Sequence, residues 1–237
     1  PGLLARLIDF TMDRDFPELE GPRAERRARW FRTICERSAE LSAHWMRIGF
    51  VHGVLNTDNM SVLGLTIDYG PYGFVEDYDP AFTPNTTDAQ GRRYAYGRQP
   101  AIVHWNLARL GSALLGQIDE SSLQDGLDHY GRHYQARARA MTSAKFGLDE
   151  MHDDDIALVG DAYALLAASS IDYTLFFRTL AMSTRPEDFL AHAYDDARYH
   201  ASLPKLQDWL LRYAQRVATI DPAWRLARMT SANPLYL

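Results

Sequence analysis

The chain has 237 residues, 46% hydrophobic and 24% charged, with 25 Lys and Arg against 31 Asp and Glu for a formal net charge of −6. This is the balance of an ordinary globular protein. It excludes a nucleic-acid binder held by phosphate contacts, which needs a basic excess, and no run approaches the roughly 18 apolar residues of a membrane span.

The single Cys35 allows no intrachain disulfide and no multi-cysteine metal site, so a reducing, cytoplasmic setting is expected. The sequence begins at Pro1 with neither initiator Met nor signal peptide, and a processed or excised piece is expected. Of the 25 basic residues only Lys145 and Lys205 are Lys. Positions 48–91 hold no Lys or Arg but do hold Asp58, Asp68, Glu76, Asp77, Asp79 and Asp88. Those six acids equal the whole net charge.

Residues 2–13 carry Leu3, Leu4, Leu7, Ile8 and Phe10 in a helical pattern. After a break at Pro17, Gly21 and Pro22, a long helix is expected, with Pro22 suited to its first turn. Phe31, Ile34, Cys35, Ser38, Leu41, Ser42, Trp45 and Ile48 form its apolar stripe, and Arg26, Arg27, Arg29, Arg37 and Glu40 its polar face. Cys35 reads as a small core residue ahead of a reactive thiol. Gly49 ends this helix. Two short strand-like runs follow, near Met60–Leu65 and Thr66–Tyr69.

Residues 71–100 are irregular, yet they carry Tyr72, Phe74, Tyr78, Phe82, Tyr94 and Tyr96. So aromatic a loop is expected to be ordered. The remainder, 101–237, reads as helical. Val103, Leu107, Leu110, Leu114 and Ile118 make one stripe and 121–143 a polar helix. Asp153, Asp154 and Asp155 start another helix, and Ser202 and Pro204 open one carrying Leu206, Trp209, Leu210, Tyr213 and Val217. The economical architecture is one mainly α domain over 1–237 with a small irregular β-containing segment.

The chemistry concentrates at residues 52–59, His-Gly-Val-Leu-Asn-Thr-Asp-Asn, followed nine residues after Asn59 by Asp68-Tyr69-Gly70. An Asn followed by Asp-aromatic-Gly is how kinase-like proteins hold the divalent ions of a nucleoside triphosphate. Magnesium takes oxygen ligands, one or two from carboxylates and the rest from water and phosphate. The amide oxygen of Asn59 and the carboxylate of Asp68 meet that need, with Gly70 expected to allow a sharp turn after the ligand. Kinases place their base five residues before this Asn; here that residue is Val54, which accepts no proton. Asp58 is the nearby carboxylate able to act as base or second ligand. A phosphotransferase acting on a small molecule is therefore disfavoured.

The run from Gly49 to Phe74, with Asp77 to Pro80, Gln99-Pro100, Trp105-Asn106-Leu107 and a faint return at Asn233-Pro234, resembles the selenoprotein O family, also called YdiU. The resemblance implies a protein-kinase-like C-lobe: catalytic loop and metal motif at 49–70, an activation-loop-like segment at 71–100, then helices. It implies transfer of AMP from ATP to Ser, Thr or Tyr hydroxyls of proteins, with release of pyrophosphate. Asp58 would then be the proton acceptor, and Asn59 and Asp68 would bind magnesium (or manganese) and, through it, ATP. Family members are about twice this length and carry an N-terminal lobe with a glycine-rich loop and phosphate-binding cations. This chain has no such loop, so the isolated piece is expected to be inactive. Pro84 stands where some members have a Cys, which argues against thiol regulation through this loop. The alternative is a helical interaction module with a vestigial nucleotide cleft.

Weaker signals are weighed against plainer readings. His52 reads as a loop brace ahead of a proton shuttle, and Asn56 and Thr57 as loop-shaping residues. Glu76, Asp77 and Asp79 read as a solvated or Arg-paired loop ahead of a second cation site. His192, Asp196 and His200 share four-residue spacing, but a metal site there is not favoured. Thr86, Thr87, Tyr94 and Tyr96 are candidate self-modification hydroxyls.

Overall fold

The computed structural model describes residues 2–235. It is mainly helical, with one two-stranded sheet. Helices α1 (Gly2–Asp15) and α2 (Arg23–Ile48) come first, followed by β1 (Phe50–Val51) and β2 (Gly73–Phe74). Then come α3 (Gln99–Leu114), α4 (Glu120–Lys145), α5 (Asp155–Ser169), α6 (Tyr173–Met182), α7 (Glu187–Leu190), α8 (Asp196–Val217) and α9 (Pro222–Ala232). No described helix is long and apolar enough to cross a membrane.

The long second helix follows its sequence stripe. Phe31, Ile34, Cys35, Ser38, Ser42 and Trp45 are buried, and α2 packs along α4. The approach is close because Gly126 faces Phe31, where a Cβ would lie 2.6 Å from the ring. Burial pushes the Cys35 thiol up to about 12, as a core residue requires. Gly49 caps the helix at φ 78°, its N–H donating to the Trp45 carbonyl.

Four details depart from the sequence reading. Arg27, placed on the polar face, is buried: its guanidinium reaches Asp9 of α1 at 2.8 Å and Gln117 at 3.0 Å. A charge-assisted pair makes that burial tolerable. Conversely, Leu3, Leu7 and Phe10 of α1 are exposed, while Ile8 and Met12 are buried. The strand-like runs at 60–69 form only a Met60–Thr66 bridge around a turn. The ladder is β1 with β2, antiparallel, Phe50 opposite Phe74 and Val51 opposite Gly73. Finally, α8 begins at Asp196, with the Asp195 carboxylate accepting from the Arg198 N–H at 3.0 Å, and Pro204 lies inside it. A strong N-cap outweighs the lost bond to the His200 carbonyl.

Two apolar clusters result. One gathers α1, α2, α3 and the first half of α4; the other gathers α5, α6, α8 and α9. Successive residues of a strand point to opposite faces, so Phe50 enters the first cluster and Val51 the second. The two-residue strand that leads into the chemistry-bearing loop is thus held from both sides. The 71–100 segment is ordered, as its aromatics argue. Tyr78 stacks on Tyr173 with ring centroids 5.6 Å apart, Tyr96 is buried, and the backbone closes through Tyr96 N–H to Phe82 O and Gly97 N–H to Pro80 O.

Candidate active site

Residues 52–59 leave β1 as a loop that three buried side chains shape. Gln99, at the start of α3, accepts from the His52 N–H at 3.0 Å and donates to the Phe50 carbonyl at 2.8 Å. Asn106, two turns on, donates to the Leu55 carbonyl at 3.0 Å. His52 is fully buried; its Nδ1 accepts from the Val54 N–H at 3.4 Å and its Nε2 meets the Ile67 carbonyl at 3.0 Å. These partners assign the neutral tautomer with the proton on Nε2. Burial pushes the imidazole below its ordinary value, against the opposing pull of the Ile67 carbonyl and the Asp68 charge. His52 is thus a brace, as the sequence suggests.

Gly53 has φ +76°, and a Cβ there would lie 2.3 Å from the Pro71 carbonyl oxygen. The loop passes where only glycine fits. Gly53→Ala is expected to destabilise the protein by about 2–3 kcal/mol, combining left-handed strain with steric overlap. Differential scanning calorimetry should read a Tm drop of roughly 5–10 °C. An unchanged Tm would mean that the loop and Pro71 separate freely.

A short hairpin joins Asn59 to Asp68. The Asn59 carbonyl accepts from the Thr66 hydroxyl at 2.7 Å and from the Ile67 N–H at 3.1 Å. Ser61 N–H donates to Leu65 O, and Gly64 turns the chain at φ +73°. Asp68 therefore follows immediately after the residue hydrogen-bonded to Asn59. The Asn59 side chain is buried and its Nδ2 donates to the Val54 carbonyl at 2.7 Å, which leaves Oδ1 without a hydrogen bond among the described residues. The unusual backbone lies at Asp68 itself, with φ +57°, and not at Gly70, whose φ is ordinary. The expected glycine turn is replaced by an Asp in the left-handed region and a Gly70 N–H to Asp68 O contact of 2.8 Å. Such conformations cluster at functional sites.

The six acids of the cation-free stretch divide clearly. Asp88 accepts from the Arg93 and Tyr94 N–H groups, Asp79 from that of Ala81, and Asp77 from Ser170 Oγ at 2.6 Å and Arg198 at 3.1 Å. Asp77 and Asp79 are thus structural. Asp58, Asp68 and Glu76 are exposed and, among the described residues, their carboxylates take no hydrogen bond or ion pair, so Glu76 is the solvated member of the 76–79 acids. Asn56 accepts from the Tyr94 hydroxyl, as a loop-shaping residue should. Of the candidate modification hydroxyls, Tyr96 is buried and bonded to the Met46 carbonyl, and Tyr94 is occupied by Asn56; Thr86 and Thr87 are exposed. His192, Asp196 and His200 form no ligand group among the described residues. Gln99 and Asn106 carry no local signal of this role in the sequence. What marks them is membership of the resembling runs Gln99-Pro100 and Trp105-Asn106-Leu107.

The family model described as protein adenylyltransferase SelO matches residues 1–237. The chain is 50% identical over 242 residues to the protein nucleotidyltransferase YdiU of Azoarcus sp. (strain BH72), covering 99% of this chain and 47% of that protein. It is 52% identical to the protein nucleotidyltransferase YdiU of Xanthomonas campestris pv. campestris (strain B100), with the same coverage. The chain thus spans about half the length of the curated relatives it matches. With a family match over its full length, the chain belongs to the SelO family.

Proposed function

We propose that this chain is the catalytic-loop half, a kinase-like C-lobe, of a cytoplasmic enzyme that transfers AMP from ATP to Ser, Thr or Tyr hydroxyls of other proteins. The observation that carries the proposal is a set of oxygens, from Asp58, Asn59 and Asp68, unpartnered among the described residues and carried at the start and end of one braced hairpin, within a stretch free of Lys and Arg. Hard oxygen donors of this kind fit magnesium, or manganese, which would be held by Asn59 and Asp68. That ion would supply charge neutralisation at the triphosphate.

Asp58 would orient the acceptor hydroxyl and take its proton. The hydroxyl oxygen forms a bond to the α-phosphorus as the bond from that phosphorus to the β-phosphate bridge breaks, and pyrophosphate leaves. The braces at His52, Gln99 and Asn106 would hold the loop in place, so that catalysis comes mostly from positioning and preorganised charge. Intact-mass spectrometry of a substrate protein incubated with the full-length enzyme, ATP and magnesium should show the gain of AMP. A gain of one phosphate would instead make the enzyme a kinase.

A second reading, a helical interaction module with a vestigial cleft, is favoured by one observation. Lys145 is locked inside the fold, against the Arg47 carbonyl and Asn233, and so is no phosphate ligand. For the 237-residue chain alone we expect no micromolar binding of Mg-ATP by isothermal titration calorimetry. Micromolar binding would show that the hairpin suffices to hold the nucleotide.

A further inference from the structure

At the α2–α4 contact two imidazoles and a carboxylate converge, none of them contributed by the catalytic hairpin. Glu36 of α2 faces His129 and His133 of α4, and one ligand atom from each lies within 4.8 Å of the others. The Glu36 carboxylate is 3.8 Å from His129 Nε2 and 3.6 Å from His133 Nδ1. These separations are too long for hydrogen bonds. His129 Nε2 is buried and has no hydrogen-bond partner among the described residues. The two histidines are four residues apart on a helix and so share one face.

We propose that Glu36, His129 and His133 form a binding site for a divalent transition-metal ion of the zinc type, joining α2 to α4. Three protein ligands leave the fourth tetrahedral position to water. Ligand atoms around zinc at about 2.1 Å stand roughly 3.4 Å apart, so closure needs only side-chain adjustment. Imidazole donors select zinc, copper or nickel over magnesium, which separates this site chemically from the all-oxygen hairpin.

The surroundings supply the outer contacts such sites use. His133 Nε2 lies 3.5 Å from Glu40, and Glu40 is itself held by Arg137 through two contacts of 2.6 Å. A carboxylate behind a ligating imidazole fixes its orientation and raises its basicity. One group opposes the site. Arg32 Nη2 lies 3.2 Å from His129 Nδ1, which must carry the proton once Nε2 binds metal. Arg32 is half exposed and already within 3.5 Å of Asp125, so it has a place to go.

The test is a titration of ZnCl2 into tag-free, EDTA-treated full-length protein by calorimetry, with Tm measured in parallel. We expect one zinc per chain at micromolar or tighter affinity and a raised Tm. Affinity should fall at least tenfold in His133→Ala and about tenfold in Glu40→Gln, and stay unchanged in Asp68→Ala. Cobalt(II) added to the unmutated protein should give the visible absorption of a four-coordinate site, a readout that does not depend on any variant folding. Lack of saturable binding, binding that survives loss of His129 and His133 together, or binding lost in Asp68→Ala would each overturn the site.

Discussion

Asp68→Asn in the full-length protein is expected to lower AMP incorporation on the order of 10²–10³-fold, the usual loss when one preorganised electrostatic group is removed from a transferring phosphoryl centre. The choice of Asn matters. Asp68 sits at φ +57°, a region that Asp and Asn enter far more readily than other non-glycine residues. Asp68→Ala removes the carboxylate and also adds backbone strain of about 1 kcal/mol. Asp68→Asn keeps the backbone permissive and removes only the charge. Both variants should lose activity, but only Ala should lower Tm. Because Asp68 makes no ion pair or side-chain hydrogen bond among the described residues, the folded state has little else to lose. Intact-mass spectra of the acceptor protein over a time course give the rate. Asn activity within threefold of the unmutated enzyme would refute the role of the Asp68 charge.

Asn59 and Asp68, the proposed ligands, stood out in the sequence on local signals alone. Asn59 and Asp68 lie nine residues apart, and a hairpin of that length closes on itself. The helices α2 and α3 were legible because a core face repeats every three or four residues. What could not be read were partnerships across long separations. Gln99 clamps His52 from 47 residues away, and nothing in its neighbours announces this. Asp155 looked like one more acid at a helix start. It is in fact buried, bound to Arg216 at 2.7 Å and accepting from the His152 N–H at 2.8 Å. Likewise Arg27 reads as surface until Asp9 is brought to it. The short strands failed for a different reason: Phe50–Val51 and Gly73–Phe74 are too brief to show an alternation, while the two runs at 60–69 fold back on each other through the single Met60–Thr66 bridge, too little to make a ladder.

Lys145→Ala is expected to destabilise the protein by about 3–5 kcal/mol, through a cavity where the buried stem was and two acceptors left without a donor. Its ammonium donates to the Arg47 carbonyl at 3.0 Å and to Asn233 Oδ1 at 2.9 Å, and lies 4.3 Å from the Tyr173 ring centroid and 3.9 Å from that of Phe177. Asn233 Nδ2 returns bonds of 2.9 Å to the Lys145 and Met229 carbonyls. This lysine therefore ties α2, α4 and α6 to the end of α9. Lys145→Met, which keeps the stem, should cost less, about 1–3 kcal/mol at pH 7.

The pH dependence separates the two effects. Burial, with Arg47 adding like charge, holds Lys145 well below the ordinary lysine value of 10.5. Between its folded and unfolded values the unfolded chain holds the proton more tightly, so this group makes stability rise with pH across that window. Tyr96 and Tyr173 beside it are shifted upward by burial. They act in the opposite sense, removing stability once pH passes about 10. Urea denaturation of the unmutated and Lys145→Met proteins, compared from pH 7 to 9.5, isolates the lysine. The cost of the Met substitution should grow with pH, since only the unmutated protein gains from releasing the buried charge. A cost that stays flat would mean that the ammonium keeps its proton across this range, held by its carbonyl and aromatic partners.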